Sequence, residues 1–451
     1  MFHKTHLFQA AALHAVVCFA GAASAQYQFT DLGHYAPFAE SRALAVTEDG
    51  LVAGVASGPG SRVFRWTPES GFAPVFGASS VTDMNGTGHV MVGPSGRWSR
   101  TTGTWQALIG DECHDFCPPD GCIVCGTLRE VNAVSSDGRI VVGRADNTPL
   151  PGGEPRPAEW YPWSPNAFEL PASCIDPYNN EIRVFTARCI SANGRFTGGI
   201  DFSRKMGVAC GGGKTWDNQT GAVRAIALFN LDYGEVRAIT SDGAWLAGIH
   251  SVGVPISGPF GPIARRIASD GSSIIDIDGD NPPTGTYRPV ISGMTDDGSR
   301  IVGYRVSLTN VKHTPWIWID GQGKSNLGDF MAGKGLPVAG WTFTAVYDIS
   351  FNGRFVVGEG LNPSGQVTAW RLEMPMSSVI CDTIDFNTDT SLFDPQDIDA
   401  FLSVYSEGPC IPANASCNDI DFNNDGSLFD PCDIDSFLLV FSEGPCTSCG
   451  T

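Results

Sequence analysis

Five segments decide the fold: VSSDGRIVVG (134–143), ISANGRFTGG (190–199), ITSDGAWLAG (239–248), MTDDGSRIVG (294–303) and ISFNGRFVVG (349–358). In each, an apolar run reaches an Asp-Gly or Asn-Gly pair and a second apolar run leaves it, ending in glycine. That pattern predicts a β-hairpin, because Asn-Gly and Asp-Gly accept the positive φ angles that a two-residue type I′ turn imposes. Two further copies lie upstream: VTEDGLVAG (46–54), one residue shorter, and MNGTGHVMVG (84–93), a looser copy whose pair is Asn85-Gly86.

The seven Asp or Asn positions, 49, 85, 137, 193, 242, 297 and 352, are separated by 36, 52, 56, 49, 55 and 55 residues. After most closing glycines comes a short aromatic strand, at Trp66, Trp160, Trp216, Trp318 and Trp370; the fifth unit lacks the Trp and offers Ile263 and Ile267 instead. A period of this length with about four short strands is what a propeller blade requires, each blade burying its face against the next. The expected fold is an all-β repeat domain over 26–375, a seven-bladed β-propeller. An open stack of sheets is the alternative, because the second unit is short.

Composition agrees with a turn-rich β protein: 54 Gly and 30 Pro, with 17% charged residues. A formal charge of −20 disfavours nucleic acid and anionic membranes as partners, since both would repel the chain. The charge is concentrated: 376–451 carries fourteen Asp and Glu and no Lys or Arg. The first residues read as a cleaved secretory signal (1–25), with Lys4, an apolar stretch from Leu7 to Ala20 and Ala23-Ser24-Ala25. No later stretch is apolar enough to span a bilayer. The expected location is secreted, extracellular or associated with the cell surface.

Export places the thirteen cysteines after Cys18 in an oxidising compartment. Cys113, Cys117, Cys122 and Cys125 crowd into one Pro/Gly loop, which favours two local disulfides over a zinc site built from separated pairs. Cys174 and Cys189 are a candidate bridge. The odd count leaves one thiol over, with Cys210 the candidate.

The tail holds one pattern twice, CDTIDFNTDTSLFDPQDIDAFLSVYSEGPC (381–410) and CNDIDFNNDGSLFDPCDIDSFLLVFSEGPC (417–446). Asp421, Asn423, Asp425 and Gly426 match positions 1, 3, 5 and 6 of an EF-hand loop. Position 12 then falls on Cys432, but one extra residue brings Asp430 and Asp433 to positions 9 and 12, as it does Asp394 and Asp397 in the first copy. Asp394-Pro395 and Asp430-Pro431 put Asp at an N-cap and Pro in the first helical turn. Ile398, Phe401, Leu402 and Tyr405, with Ile434, Phe437, Leu438 and Phe441, are the expected core between the copies.

Two family resemblances follow. The stretch 29–373 resembles the extracellular HAF-type repeat family, whose units share the hairpin, the aromatic strand and a leucine-glycine ending such as Leu32-Gly33 or Leu327-Gly328. The tail resembles dockerin domains, specifically the cysteine-flanked GC-type anchors. That second resemblance implies a small α-helical domain (376–451) holding calcium through Asp385, Asn387, Asp389, Asp397, Asp421, Asn423, Asp425 and Asp433, with Asp394 and Asp430 as further candidates. Thr390 stands where the loop wants Gly, which weakens the first site. Cys381 with Cys410 and Cys417 with Cys446 are expected to staple the copies, and Cys449 is a candidate mate for Cys432. The implied partner is a protein receptor, cohesin-like or another surface component.

Catalytic signatures are sparse. The five histidines after the signal fall in no H-E-x-x-H pattern, no G-x-S-x-G elbow occurs, and Gly211-Gly212-Gly213-Lys214-Thr215 lacks the earlier glycine of a phosphate loop. The expectation is a secreted, non-catalytic binding or scaffold protein with a propeller ligand that is glycan or protein. The alternative is a carbohydrate-active propeller enzyme, a glycoside hydrolase or polysaccharide lyase, with Asp201, Asp232, Glu235, Arg237 and Asp296 as channel candidates.

Overall fold

The computed structural model describes residues 27–94, 96–108, 129–146, 155–160, 168–169, 185–201, 212–226, 234–251, 262–277, 287–307, 313–375, 384–387, 395–406, 409, 422 and 431–441. The signal-peptide segment and every cysteine except Cys189 and Cys432 lie outside them, as does the side chain of Cys432. Among the described residues no helix is long and apolar enough to cross a membrane.

Among the described residues, twenty-eight strands form seven four-stranded antiparallel sheets. We number them as blades 1 to 7 by their innermost strands: Glu40–Val46, Asp83–Met84, Arg129–Val134, Phe185–Ile190, Glu235–Ile239, Tyr287–Met294 and Thr342–Ile349. Blades 1 to 6 are each built from consecutive strands. Blade 7 takes its outermost strand, Gln28–Gly33, from the start of the described chain, paired with Val367–Glu373. That pairing closes a β-propeller and rules out the open stack. The short second unit still completes a blade, with an inner strand of two residues.

Both faces of each sheet are buried, which is why the strands read as continuous apolar runs. One hydrophobic cluster fills each seam. Ala43, Val46, Phe64, Trp66, Phe355 and Val357 lie between blades 7 and 1, and Ala45, Val63, Met84 and Met91 between blades 1 and 2. Val92 with Val131, Val142 with Ile190, Cys189 with Ile267, Ala247 with Trp316 and Ile317 with Trp370 mark the remaining seams. In blade 5, Ile267 is 1% exposed and pairs with Leu246 as Trp318 pairs with Ile301 in blade 6, so it takes the missing Trp's place.

Every predicted hairpin joins the first two strands of a blade, but the turn differs from the type I′ expectation. In blade 3, Ser135 N donates to Ile140 O and Gly138 N donates to Ser135 O, so 136–139 connect the strands and the positive φ falls at Gly138 (74°). The turn is fixed by a residue the Asp/Asn-Gly pattern does not contain. Ser135 Oγ donates to Asp137 Oδ1 at 2.6 Å, Asp137 Oδ1 accepts from Arg139 N at 2.8 Å, and Ser135 Oγ accepts from Ile140 N at 3.0 Å. The same network joins Thr47 to Asp49, Ser191 to Asn193, Thr240 to Asp242, Thr295 to Asp297 and Ser350 to Asn352. Blade 2 corrects the register as well: Gly88, at φ 67°, is the turn glycine, and Gly88 N donates to Asn85 O. Its turn pair is therefore Thr87-Gly88, and Asn85 stands where the other blades have Ser or Thr.

The closing glycine has a separate cause. Six inner strands carry a one-residue bulge at matching places, Leu44, Asn132, Arg188, Arg237, Ser292 and Tyr347, and that of blade 7 has a second at Thr344. A Cβ on Gly143 would collide with Glu130 O, and one on Gly358 with Ala345 O. Glycine on the second strand makes room for the bulged strand, and the bulge residue lines the channel.

Three helices complete the described structure: α1 (Leu327–Gly333), α2 (Pro395–Tyr405) and α3 (Pro431–Phe441). Asn326 caps α1, its side chain accepting from Gly328 N and Asp329 N. Helices α2 and α3 pack through Phe401 and Phe437, stacked with ring centroids 4.3 Å apart, with Ile384, Phe386 and Phe422 around them. Leu402 and Leu438 are each 48% exposed and stand outside this core, contrary to expectation. Each follows the buried Phe by one residue, about 100° around the helix.

Candidate functional site

The inner strands of all seven blades enclose a central cavity of about 120 Å³. Its two ends are built differently. At one end the turns bond to one another in a closed ring. Glu48 N donates to Gly86 O, Gly86 N to Ser136 O, and Ser136 N to Ala192 O. Asn193 Nδ2 donates to Ser241 O, Ser241 N to Asp296 Oδ1, Asp296 N to Phe351 O, and Asn352 Nδ2 to Glu48 O. Neighbouring blades are thus linked all the way round. A Cβ on Gly86 would meet Ser136 Oγ and Glu48 Oε1, so a larger residue there would displace those two side chains.

One layer up, two carboxylates cross seams. Asp83 Oδ2 accepts from Val134 N and Asp348 Oδ2 from Val46 N, each at 2.8 Å. Their other oxygens accept from Met84 N and Ile349 N. Burial pushes Asp83 up to about 7, against the pull of its two N–H donors, and burial with the Asp83 charge pushes Asp348 well above the usual carboxylate range. Burial also raises Glu48, and lifts Asp296 to about 6.

The bulge residues form the next layer. Thr82 Oγ1 donates to Val131 O, Asn132 Nδ2 to Ala187 O and Ser292 Oγ to Val346 O, each across a seam to the next blade. Arg188 and Arg237 are both ion-paired with one carboxylate oxygen, Glu235 Oε1, each with its Nε at 2.9 Å. Arg188 NH1 also donates to Glu130 Oε1 at 2.6 Å. Towards the second end, Arg42 Nε contacts Glu359 Oε2 at 2.6 Å. Tyr347 is hydrogen-bonded to Glu359, and burial and that carboxylate raise its phenol. Tyr304 stands edge-on to Tyr347 and stacks on His313.

Of the channel candidates, Glu235 and Arg237 do line or flank the cavity, where they pair with each other; Asp296 belongs to the turn ring. Asp232 and the side chain of Asp201 lie outside the described residues. Sequence reasoning missed Asp83, Asp348, Arg188 and Tyr347; no short-range signal marks a residue whose neighbours come from other blades. Cys189 corrects the expected bridge to Cys174: it is a free, buried thiol pushed by burial to about 12, while Cys174 and Cys210 lie outside the described residues.

Three of the calcium candidates are described with their side chains. Asp385, Asn387 and Asp397 are 9%, 1% and 0% exposed, and Asn387 N approaches Asp397 Oδ1 at 3.5 Å. Asp397 stands in the first turn of α2, so loop and helix meet through that N–H and the Asp397 carboxylate. Among the described residues no three His, Cys, Asp or Glu converge; this set is two aspartates and an asparagine. Asp389, Asp394, Asp421, Asn423, Asp425 and Asp430, and the side chain of Asp433, lie outside the described residues.

No protein-family model matches the chain, and no curated protein matches it. Solved structures do. TolB from Acinetobacter baumannii is similar at 13% identity and TM-score 0.33, over 63% of this chain and 53% of that one. This chain therefore spans about half of that protein. The β-propeller domain of Cps50 (Swd1) from Myceliophteria thermophila is similar at 13% identity and TM-score 0.44, over 76% and 99%. Hydrazine synthase of Kuenenia stuttgartiensis is similar at 13% identity and TM-score 0.41, over 74% and 95%. The strand topology fixes the β-propeller fold.

Proposed function

We propose that this chain is a secreted, non-catalytic binding or scaffold protein, displayed at the cell surface through a calcium-dependent dockerin-like tail. The observation that carries the binding role is the asymmetry of the channel. One end is bounded by a ring of turn-to-turn bonds, and towards the other, among the described residues, stand long charged side chains paired with partners on their own or neighbouring blades. Such an arrangement presents a fixed set of charges in one direction. The propeller repeats are of HAF type on this reading.

The tail's role is supported by the duplicated loop-helix pattern and by the burial of Asp385, Asn387 and Asp397 beside α2. Those three residues and their counterparts Asp421, Asn423 and Asp433 would hold two calcium ions, and the receptor would be a protein of the cohesin type or another surface component.

Calcium titration by calorimetry on the oxidised full chain tests this, beside Asp385→Ala/Asp397→Ala and Asp421→Ala/Asp433→Ala variants. Two sites in the parent and one in each variant are expected. A parent that takes up no calcium overturns the tail assignment. Retention of the chain on washed cell envelopes, lost on chelation, is the expected display phenotype.

A further inference from the structure

The strand that closes the ring begins almost at the cut expected of the export signal. Ala23-Ser24-Ala25 places that cut before Gln26, and the outermost strand of blade 7 starts at Gln28. We infer that the exported chain begins with pyroglutamate at position 26, a lactam that caps the closing strand against trimming from its free end.

The chemistry follows from the residue type. Once the bond between Ala25 and Gln26 is cut, the Gln26 α-amine and its own side-chain carboxamide are spaced to close a five-membered lactam. The amine nitrogen attacks the carboxamide carbon and a new C–N bond forms. The carboxamide's own C–N bond breaks, and its nitrogen leaves as ammonia with the proton given up by the amine. No oxidant, reductant or co-reactant is consumed. An ordinary α-amine titrates close to neutral pH, so a useful share of it is the unprotonated nucleophile.

The structure gives the cap its purpose, because the residues next to it hold the ring shut. The Tyr27 ring meets Phe330 edge-on at 5.8 Å, and Lys334 Nζ stands 5.0 Å from the Tyr27 ring centroid. Gln28 pairs with Glu373, the first rung of the ladder that joins the two ends of the propeller. Phe29 packs edge-on against Trp341 and Phe343, at 5.1 and 5.8 Å. Chain ends are where exopeptidases start, and an aminopeptidase needs a free α-amine. Removal of Gln26, Tyr27 and Gln28 would take the Tyr27 clamp and that first rung. A lactam offers no α-amine to be recognised. It also removes a positive charge from the residue beside Tyr27, whose ring Lys334 already faces.

This inference rests on the export reading of the chain. The test is the intact mass and N-terminal sequencing of the full chain exported through its own signal. A chain that begins at position 26, lighter by one ammonia and blocked to sequencing until a pyroglutamyl peptidase removes the cap, is expected. A chain that begins at Gln26 with its full mass overturns this inference and leaves export standing. A chain that keeps its first residues overturns both. Gln26→Ala preserves the small-residue cut and cannot cyclise. Under a broad-specificity aminopeptidase the parent should keep its length, while the variant is shortened past Tyr27 and melts at a lower temperature. Equal resistance of the two overturns the protective role.

Discussion

The two ends of the channel solve one problem, holding seven blades in register, with different materials. The turn-ring end uses backbone groups and short side chains, each donor meeting an acceptor on the next blade. The charged end uses guanidiniums and carboxylates such as Arg188, Arg237 and Glu235, whose geometry depends on partners two to five atoms from the backbone. The difference separates what defines the fold from what is free to bind. Short groups leave no capacity over, whereas a guanidinium fixed through Nε keeps its other edge.

The comparison breaks most severely if the layer between the ends is disturbed. Gly358→Ala places a Cβ against Ala345 O and the Trp370 ring, so blade 7 cannot keep its bulge at Tyr347. A loss of about 3 kcal/mol or outright failure to fold is expected, read by denaturant unfolding. At the charged end, Glu235→Ala removes the carboxylate with which Arg188 and Arg237 are both ion-paired. Arg188 keeps Glu130 but Arg237 is left partnerless in a site where Glu235 is 5% exposed. About 3 kcal/mol is expected, read by denaturant unfolding. Ser350→Ala probes the turn end. It deletes the hydroxyl that joins Asn352 Oδ1 to Phe355 N, and about 1–2 kcal/mol should go, with no change at the charged mouth.

The smallest effect sharpens the comparison by pH. Asp348 is pushed well above the carboxylate range, so its protonated form is the one the fold favours. The sign follows: its contribution is fully present below the unfolded carboxylate pKa and is lost as pH rises through the higher folded one. Asp83, at about 7, behaves alike. Asp348→Asn should therefore raise the melting temperature at pH 8 by about 2–4 °C and leave it nearly unchanged at pH 4. A variant shifted equally at both pH values would place Asp348 outside this layer.

Legibility in the sequence followed the range of the interaction. The hairpins could be read because an Asp-Gly or Asn-Gly pair acts over a few residues, and each pair except that of blade 2 fell at its turn. There Asn85-Gly86 and Thr87-Gly88 lie two residues apart, and the hydroxyl-to-carboxylate network, not the pair, selects the register. The turn type was misread because Ser135, two residues ahead of Asp137, sets it. Bulges were invisible: an extra residue such as Leu44 or Tyr347 leaves an apolar run looking unbroken when both sheet faces are buried. The channel walls were beyond sequence for a plainer reason, since Arg188 meets Glu130 and Glu235 only after blades 3, 4 and 5 assemble. In the tail, the helical period placed Phe401 and Phe437 correctly but widened the apolar face to include Leu402 and Leu438.

The strand Gln28–Gly33, which completes blade 7, has a mechanical consequence. Val367–Glu373 is hydrogen-bonded along both edges, to Phe355–Leu361 and to Gln28–Gly33. Just beyond it, Met374 N donates to Arg354 O and Arg300 NH1 donates to Pro375 O. Tension arriving from residue 376 onward therefore reaches the ring through a strand that cannot peel from a free edge. Two ladders and two pins must yield before the first blade opens, so a pull on the tail is loaded in shear across a whole sheet.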